Sequence, residues 1–196
     1  MGLPGLAAPG NPKHSLSVKM SYQFREHTAD IAFEAFGRDL PELFTSAANA
    51  VLATLVYNPG SVRPRERRIV RLENADLEYL LYDFLEELIY LKDTEGLLLK
   101  IDRIEIEEAA DEAESTGDRA YSDAAEDRIE ERDRAFGASG GDPGDSDYWR
   151  LVAELTGEVL DATVHEQRAD IKAVTFHRFQ LERLESGWQC YVILDV

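Results

Sequence analysis

The sequence contains a single cysteine, Cys190, so no disulfide can form within the chain, and a reducing, cytoplasmic setting is expected. Cys190 stands in the alternating run Gln189-Cys190-Tyr191-Val192 with no second cysteine or activating base beside it, which reads as a strand residue rather than a nucleophile. No apolar run approaches the ~18 residues of a membrane span. Residues 1–19, rich in glycine, proline and small side chains, lack the apolar centre of a signal peptide. Gly-rich phosphate loops, CxxC and HExxH patterns and the GxSxG elbow are also missing. Their absence argues against a P-loop or dinucleotide site, a thiolate or zincin metal site, and α/β-hydrolase chemistry. Basic residues are scarce: 21 Lys and Arg against 39 Asp and Glu leave a net charge of -18. Such a chain is not expected to bind nucleic acid or anionic membrane non-specifically. It suits a soluble protein that holds cations or meets a basic partner.

The acidity is concentrated. Residues 107–148 carry 15 acidic and 4 basic side chains, more than half of the net charge. This stretch is poor in large apolar residues and contains the run GASGGDPGDSD, so it reads as an acidic, disordered or partly helical insertion with a solvated surface. Residues 1–19 read as a flexible extension, with Met20 as an alternative start. Residues 20–196, interrupted by the insertion, read as one domain with enough apolar content for a core.

Outside the insertion the hydrophobic spacing is regular. Tyr22 to Gly37 reads as strand, polar turn, strand. Asp39 caps a helix with Pro41 and Glu42 in its first turn and apolar positions from Leu43 to Leu55. Asn58-Pro59-Gly60 ends that unit, and a basic stretch of no clear period follows, Ser61 to Arg67. Arg68 to Glu73 reads as a strand. Asn74 to Asp76 cap a second helix whose wide stripe (Leu77, Leu80, Leu81, Phe84, Leu85, Leu88, Ile89) marks it as largely buried. Strands are expected at Leu97 to Ile106, Trp149 to Val159, Ala173 to Glu185 and Trp188 to Asp195, the last two joined by a Ser186-Gly187 turn. The order predicts an α+β two-layer sandwich: mainly antiparallel sheet with two amphipathic helices covering one face.

The polar residues left over are Glu26, His27, Asp30, Asp161, His165, Asp170, Lys172, His177 and Asp195. Asp195 closes an apolar strand one residue before Val196, so its carboxylate must be solvated at an edge, paired, or bound to a metal ion. Asp30, Asp195 and the terminal carboxylate of Val196 would together make an all-oxygen site suited to a hard cation: Ca²⁺, Mg²⁺ or Mn²⁺. The competing reading makes Asp30 a turn residue or strand-end cap, and His27 and His177 hydrogen-bonded structural histidines. Lys172 reads as an ion-pair partner for the same carboxylates.

Five strings in order resemble the archease family: Glu26-His27-Thr28-Ala29-Asp30-Ile31; Leu80-Leu81-Tyr82-Asp83-Phe84-Leu85-Glu86-Glu87-Leu88-Ile89-Tyr90; Gly157-Glu158; Ile171-Lys172-Ala173-Val174-Thr175-Phe176-His177; and Leu194-Asp195-Val196. The likeness spans 22–106 and 149–196. Glu26 stands where many members have Asp, and the insertion and the N-terminal extension depart from the compact family form. The resemblance implies a protein cofactor, not an enzyme, that activates the GTP-dependent RtcB-type RNA ligase of tRNA splicing by promoting guanylylation of the ligase histidine and multiple turnover. It would touch tRNA only through the ligase, and no membrane. It further implies a bound divalent cation, calcium in the first instance, held by Asp30, Asp195 and Val196, with Glu26, His27, Lys172 and His177 as a second tier. Two other functions stand beside it: a general chaperone or modulator of nucleic-acid-modifying enzymes, and a stand-alone metal-dependent phosphoester hydrolase.

Overall fold

The computed structural model describes residues 21–25, 30–109 and 148–196. In chain order it contains β1 (Tyr22–Arg25), β2 (Ile31–Gly37), α1 (Leu40–Leu55), a 3₁₀ turn (Pro59–Ser61), β3 (Glu66–Asn74), α2 (Leu77–Glu95), β4 (Leu97–Ala109), β5 (Tyr148–Val159), β6 (Ala173–Leu184) and β7 (Gly187–Asp195). The expected α+β class, antiparallel strands with two helices, is what the chain adopts. The strands divide between two sheets, in the orders β1-β2-β7-β6 and β3-β5-β4, with every described pairing between strands antiparallel. Each helix touches strands of both sheets.

The helix boundaries follow from local chemistry. The Asp39 side chain accepts the Glu42 N–H, and the Asp76 side chain accepts the N–H groups of Glu78 and Tyr79, satisfying donors that a first helical turn leaves orphaned. Gly96 ends α2 at φ 69°, a left-handed conformation in which its N–H caps the Leu91 and Lys92 carbonyls. The core, where the helices meet both sheets, holds the fully buried Phe33, Phe44, Phe84, Leu43, Leu80, Leu81, Leu85, Leu151 and Leu155. Burying a side chain of this size is worth about 1.5–3 kcal/mol, so the wide apolar stripes of both helices supply most of the cohesion. Among the described residues no helix is long and apolar enough to cross a membrane.

Two features of this frame set the positions of the polar groups. β4 and β5 close on each other as far as Ala109 and Tyr148, so the acidic insertion leaves and re-enters at the end of a paired hairpin; its expected disorder or helix, like the extension before Met20, falls outside the described residues. β6 is an edge strand, and between Thr175 (opposite Ile193) and Gln180 (opposite Tyr191) it carries Phe176 to Phe179 against Val192 alone. Such a bulge leaves ladder groups unpaired. On either side of it, successive turns of α2 bond the outer edge of β6: Glu86 accepts the Val174 N–H at 2.6 Å, Tyr82 Oη donates to the Val174 carbonyl at 3.3 Å, and Glu78 accepts the Leu181 N–H at 3.0 Å.

Candidate functional site

The antiparallel register of β2 on β7 begins with Ile31 opposite Leu194, which brings Asp30, the residue before β2, to the same end of the sheet as Asp195. On the other side of β7, Asp195 pairs with Ala173, the first residue of β6. Lys172 is thereby drawn into the same corner. Its backbone N–H donates to the Asp195 carbonyl at 2.9 Å, and its Nζ donates to a Val196 oxygen at 3.0 Å. Asp195 and Lys172 are exposed, Asp30 and Val196 half-buried. Three sequence-distant strings therefore meet at one end of the four-stranded sheet.

Asp30 and Asp195 make this end of the sheet an all-oxygen corner beside the Lys172 ammonium. The corner's excess negative charge and absence of thiolate fit a hard divalent cation and disfavour a soft one. No three His, Cys, Asp or Glu side chains gather in metal-ligating geometry among the described residues, so two aspartates alone do not complete a coordination shell. Glu26 and His27 lie outside the described residues. His177 sits in the β6 bulge with its side chain exposed, and among the described residues no hydrogen bond or ion pair links it to Asp30, Lys172, Asp195 or Val196.

The corner is held from behind by Lys92, a residue the sequence reading passed over. Its ammonium, on the last turn of α2, is almost fully buried. It donates to Asp170 at 2.6 Å and to the Ile171 carbonyl at 3.1 Å, and pairs with Asp93. Burial works to lower its pKa, but the hydrogen bonds to Asp170 and Asp93 outweigh it and hold the group above the ordinary lysine range. Lys92 thus clamps the two residues that precede Lys172. A signal was present: position 92 falls three and four residues after the core positions Ile89 and Leu88. Asp170, considered as a site residue, is the exposed outer partner of that clamp.

Asp161 and His165 belong to a different centre, at one end of the three-stranded sheet. Gly157 makes it possible: a Cβ there would come within 1.8 Å of the Leu98 carbonyl, so only glycine lets β5 approach β4 this closely. Glu158 follows, 5% exposed, and His165 is 1% exposed. Glu158 accepts the Arg63 N–H at 2.9 Å, lies 3.2 Å from His165 Nε2 and 3.3 Å from Arg65 Nε. His165 Nδ1 accepts the Asp161 N–H at 3.0 Å, which assigns the neutral tautomer with its proton on Nε2, directed at the carboxylate. The Arg63 N–H above all, with His165 and Arg65 adding to it, holds the Glu158 carboxyl below the usual carboxylate range. The Thr163 hydroxyl and N–H do the same for Asp161. Both ring nitrogens of His165 are committed, so this centre is a fastening between the β3 approach and the 160–170 crossover. A cavity of about 570 Å³ opens beside it.

The sequence profile of the Archease protein family matches residues 22–135 and 132–196. The protein archease of Thermococcus gammatolerans is 33% identical over 176 residues, covering 89% of this chain and 98% of that protein. The protein archease of Archaeoglobus fulgidus is 33% identical over 177 residues, covering 90% and 100%. The solution structure of Methanobacterium thermoautotrophicum protein 1598 aligns with a TM-score of 0.63 at 27% identity, over 91% of this chain and 100% of that one. A Thermotoga maritima archease described as a possible chaperone aligns over 88% of this chain and 94% of that one, at 18% identity and a TM-score of 0.44, too distant to carry an argument.

Proposed function

The chain belongs to the Archease protein family, and from that premise we propose that it acts as a protein cofactor of an RtcB-type RNA ligase in tRNA splicing, through a divalent cation held at the Asp30–Asp195–Val196 corner. The observation that supports this most is the register that brings Asp30 and Asp195 to the same end of the sheet, with Lys172 bonded to Val196 there. A bound calcium or magnesium ion would supply positive charge for phosphate oxygens and a fixed orientation for the groups around it. The chain's own residues do the rest. The two aspartates concentrate negative charge at this corner, with a Val196 oxygen beside them. Lys172 keeps an ammonium there that can meet a phosphate directly. Lys92 and α2 keep the corner rigid, so that little ordering is lost when the ligase closes over it. No described group pairs a nucleophile with an activating base at this corner, which favours a cofactor role over a stand-alone hydrolase.

The test is transfer of labelled guanylate from GTP to the ligase histidine. The chain should raise the rate of guanylylation of its cognate ligase in the presence of divalent metal, and Lys172→Ala should weaken the stimulation. Equal guanylylation with and without the chain would refute the cofactor reading and leave the broader chaperone role, whose mark would be suppression of ligase aggregation indifferent to Asp30 and Asp195.

A further inference from the structure

We propose that the open edge of β3 is a docking site for an extended acidic segment of a partner protein, added as a strand with the alternation acid–x–apolar–x–acid. The proposal goes beyond the cation corner, does not depend on it, and stands on three observations.

The first is topological. β3 ends the order β3-β5-β4, so among the described residues it has a strand neighbour on one side only. An edge of nine residues presents unpaired main-chain donors and acceptors to any strand that can lie alongside. The edge of β6, by contrast, is occupied by Glu78, Tyr82 and Glu86 of α2.

The second is the residue pattern. Alternate side chains of β3 point to solvent, and these are Arg67, Ile69 and Arg71, while Val70 is buried. Among the described residues neither the Arg67 nor the Arg71 guanidinium is held by an ion pair, whereas the inward Arg68 is engaged by Glu66 and Glu95. Ile69, between Arg67 and Arg71, is 56% exposed.

The third is charge. The segment from Arg63 to Arg71 holds five arginines and one glutamate in a chain of net charge -18. A locally basic strip on an acidic protein selects acidic partners by contrast with the rest of its surface.

On its other side β3 receives β5 with Thr156, Glu154 and Val152 opposite Arg67, Ile69 and Arg71, so β5 sets no acid directly opposite either arginine. An incoming strand with acids facing Arg67 and Arg71 and an aliphatic residue facing Ile69 would place each cross-strand pair favourably on one face. Charges alone would serve to guard an edge against self-association, but a guard has no use for an exposed isoleucine between them. A phosphodiester chain has no use for it either. The pattern therefore favours a peptide over RNA.

The experiment uses the full chain and a fluorescein-labelled peptide with Glu-Thr-Ile-Thr-Glu at its centre, read by anisotropy. Three probes accompany it: a scrambled peptide of the same composition, its Lys-Thr-Ile-Thr-Lys counterpart, and a labelled single-stranded RNA. The alternating acidic peptide should bind, the scramble more weakly. The double variant R67E/R71E, verified as folded by its melting curve, should lose at least about tenfold in affinity for the acidic peptide and gain the lysine peptide. Equal binding of scramble and peptide, no binding by the unmodified chain at millimolar concentration, or tighter binding of the RNA would each overturn the proposal.

Discussion

Replacing Lys92 by methionine keeps most of the side chain's length and apolar volume and removes only the ammonium. Three consequences can be weighed. The carbonyl of Ile171, on a residue with no solvent exposure, loses the donor now 3.1 Å away, at a cost of about 1–3 kcal/mol. The ion pairs to Asp93 and Asp170 are lost as well. Those carboxylates are 51% and 78% exposed and are resolvated by water, so each pair is worth about 0.2–1 kcal/mol at most. Against these stands the relief of no longer holding an ammonium out of water, which offsets the ion-pair losses but not the orphaned carbonyl. The expected result is a net loss of about 1–3 kcal/mol, or a fall in melting temperature of about 3–10 °C. Chemical denaturation monitored by far-UV circular dichroism measures it. Because Lys92 also clamps Asp170 and Ile171 ahead of Lys172, the same variant should bind calcium more weakly in a calorimetric titration. A methionine variant as stable as the parent, or more so, would refute this account of the clamp.

Other expectations follow from the same geometry. Glu158 has a depressed folded-state pKa, so its contribution to stability is present above the unfolded carboxylate range near ~4.3 and disappears as pH falls through the lower folded value. Melting temperature should therefore drop more steeply between pH 5 and 3 for the parent chain than for Glu158→Gln; identical slopes would show that the carboxylate is not ionised in its fastening. Cys190, 1% exposed and with its thiol pushed up to about 12 by burial, should resist a thiol reagent at pH 8 in the native protein and react fully in denaturant. Rapid native labelling would mean that the β7 core opens.

Local structure was legible where it has local causes. The caps at Asp39 and Asp76, the apolar stripe from Leu77 to Ile89 and the alternation in each strand all lie within one or two turns of chain, and each reappears in the fold. The division into two sheets was not legible. Period-two alternation says which face of a strand is buried but not which strand lies next to it, and β7 enters between β2 and β6 as β5 enters between β3 and β4. The β6 bulge was hidden for a related reason: Phe176 and Phe179 continue an acceptable strand pattern, and only their stacking, at 5.7 Å between ring centroids, and that of Phe176 on Tyr79 at 4.9 Å reveal the extra residues. Of the candidate site, the types of residue were readable and their meeting was not. Asp30 and Asp195 reach the same end of the sheet through a long-range register, and nothing in either neighbourhood encodes it. Asp161 and His165 looked like ligands because buried polar groups of any purpose look alike in sequence; the hydrogen bonds to Glu158 and the Asp161 N–H assign His165 to structure. Lys92 was missed because a charge in an apolar stripe is ordinarily a solvated residue at its border.

The most direct test of the central claim is the number of ligation turnovers per ligase molecule with cleaved tRNA halves, GTP and divalent metal. Many turnovers with the parent chain, and at most a single round with Asp30→Ala, with Asp195→Ala or with residues appended after Val196, are predicted, each variant keeping the parent's fold by circular dichroism. Full turnover with any one of the three would remove that group from the site, and full turnover with all three would contradict the claim that this corner carries the activity.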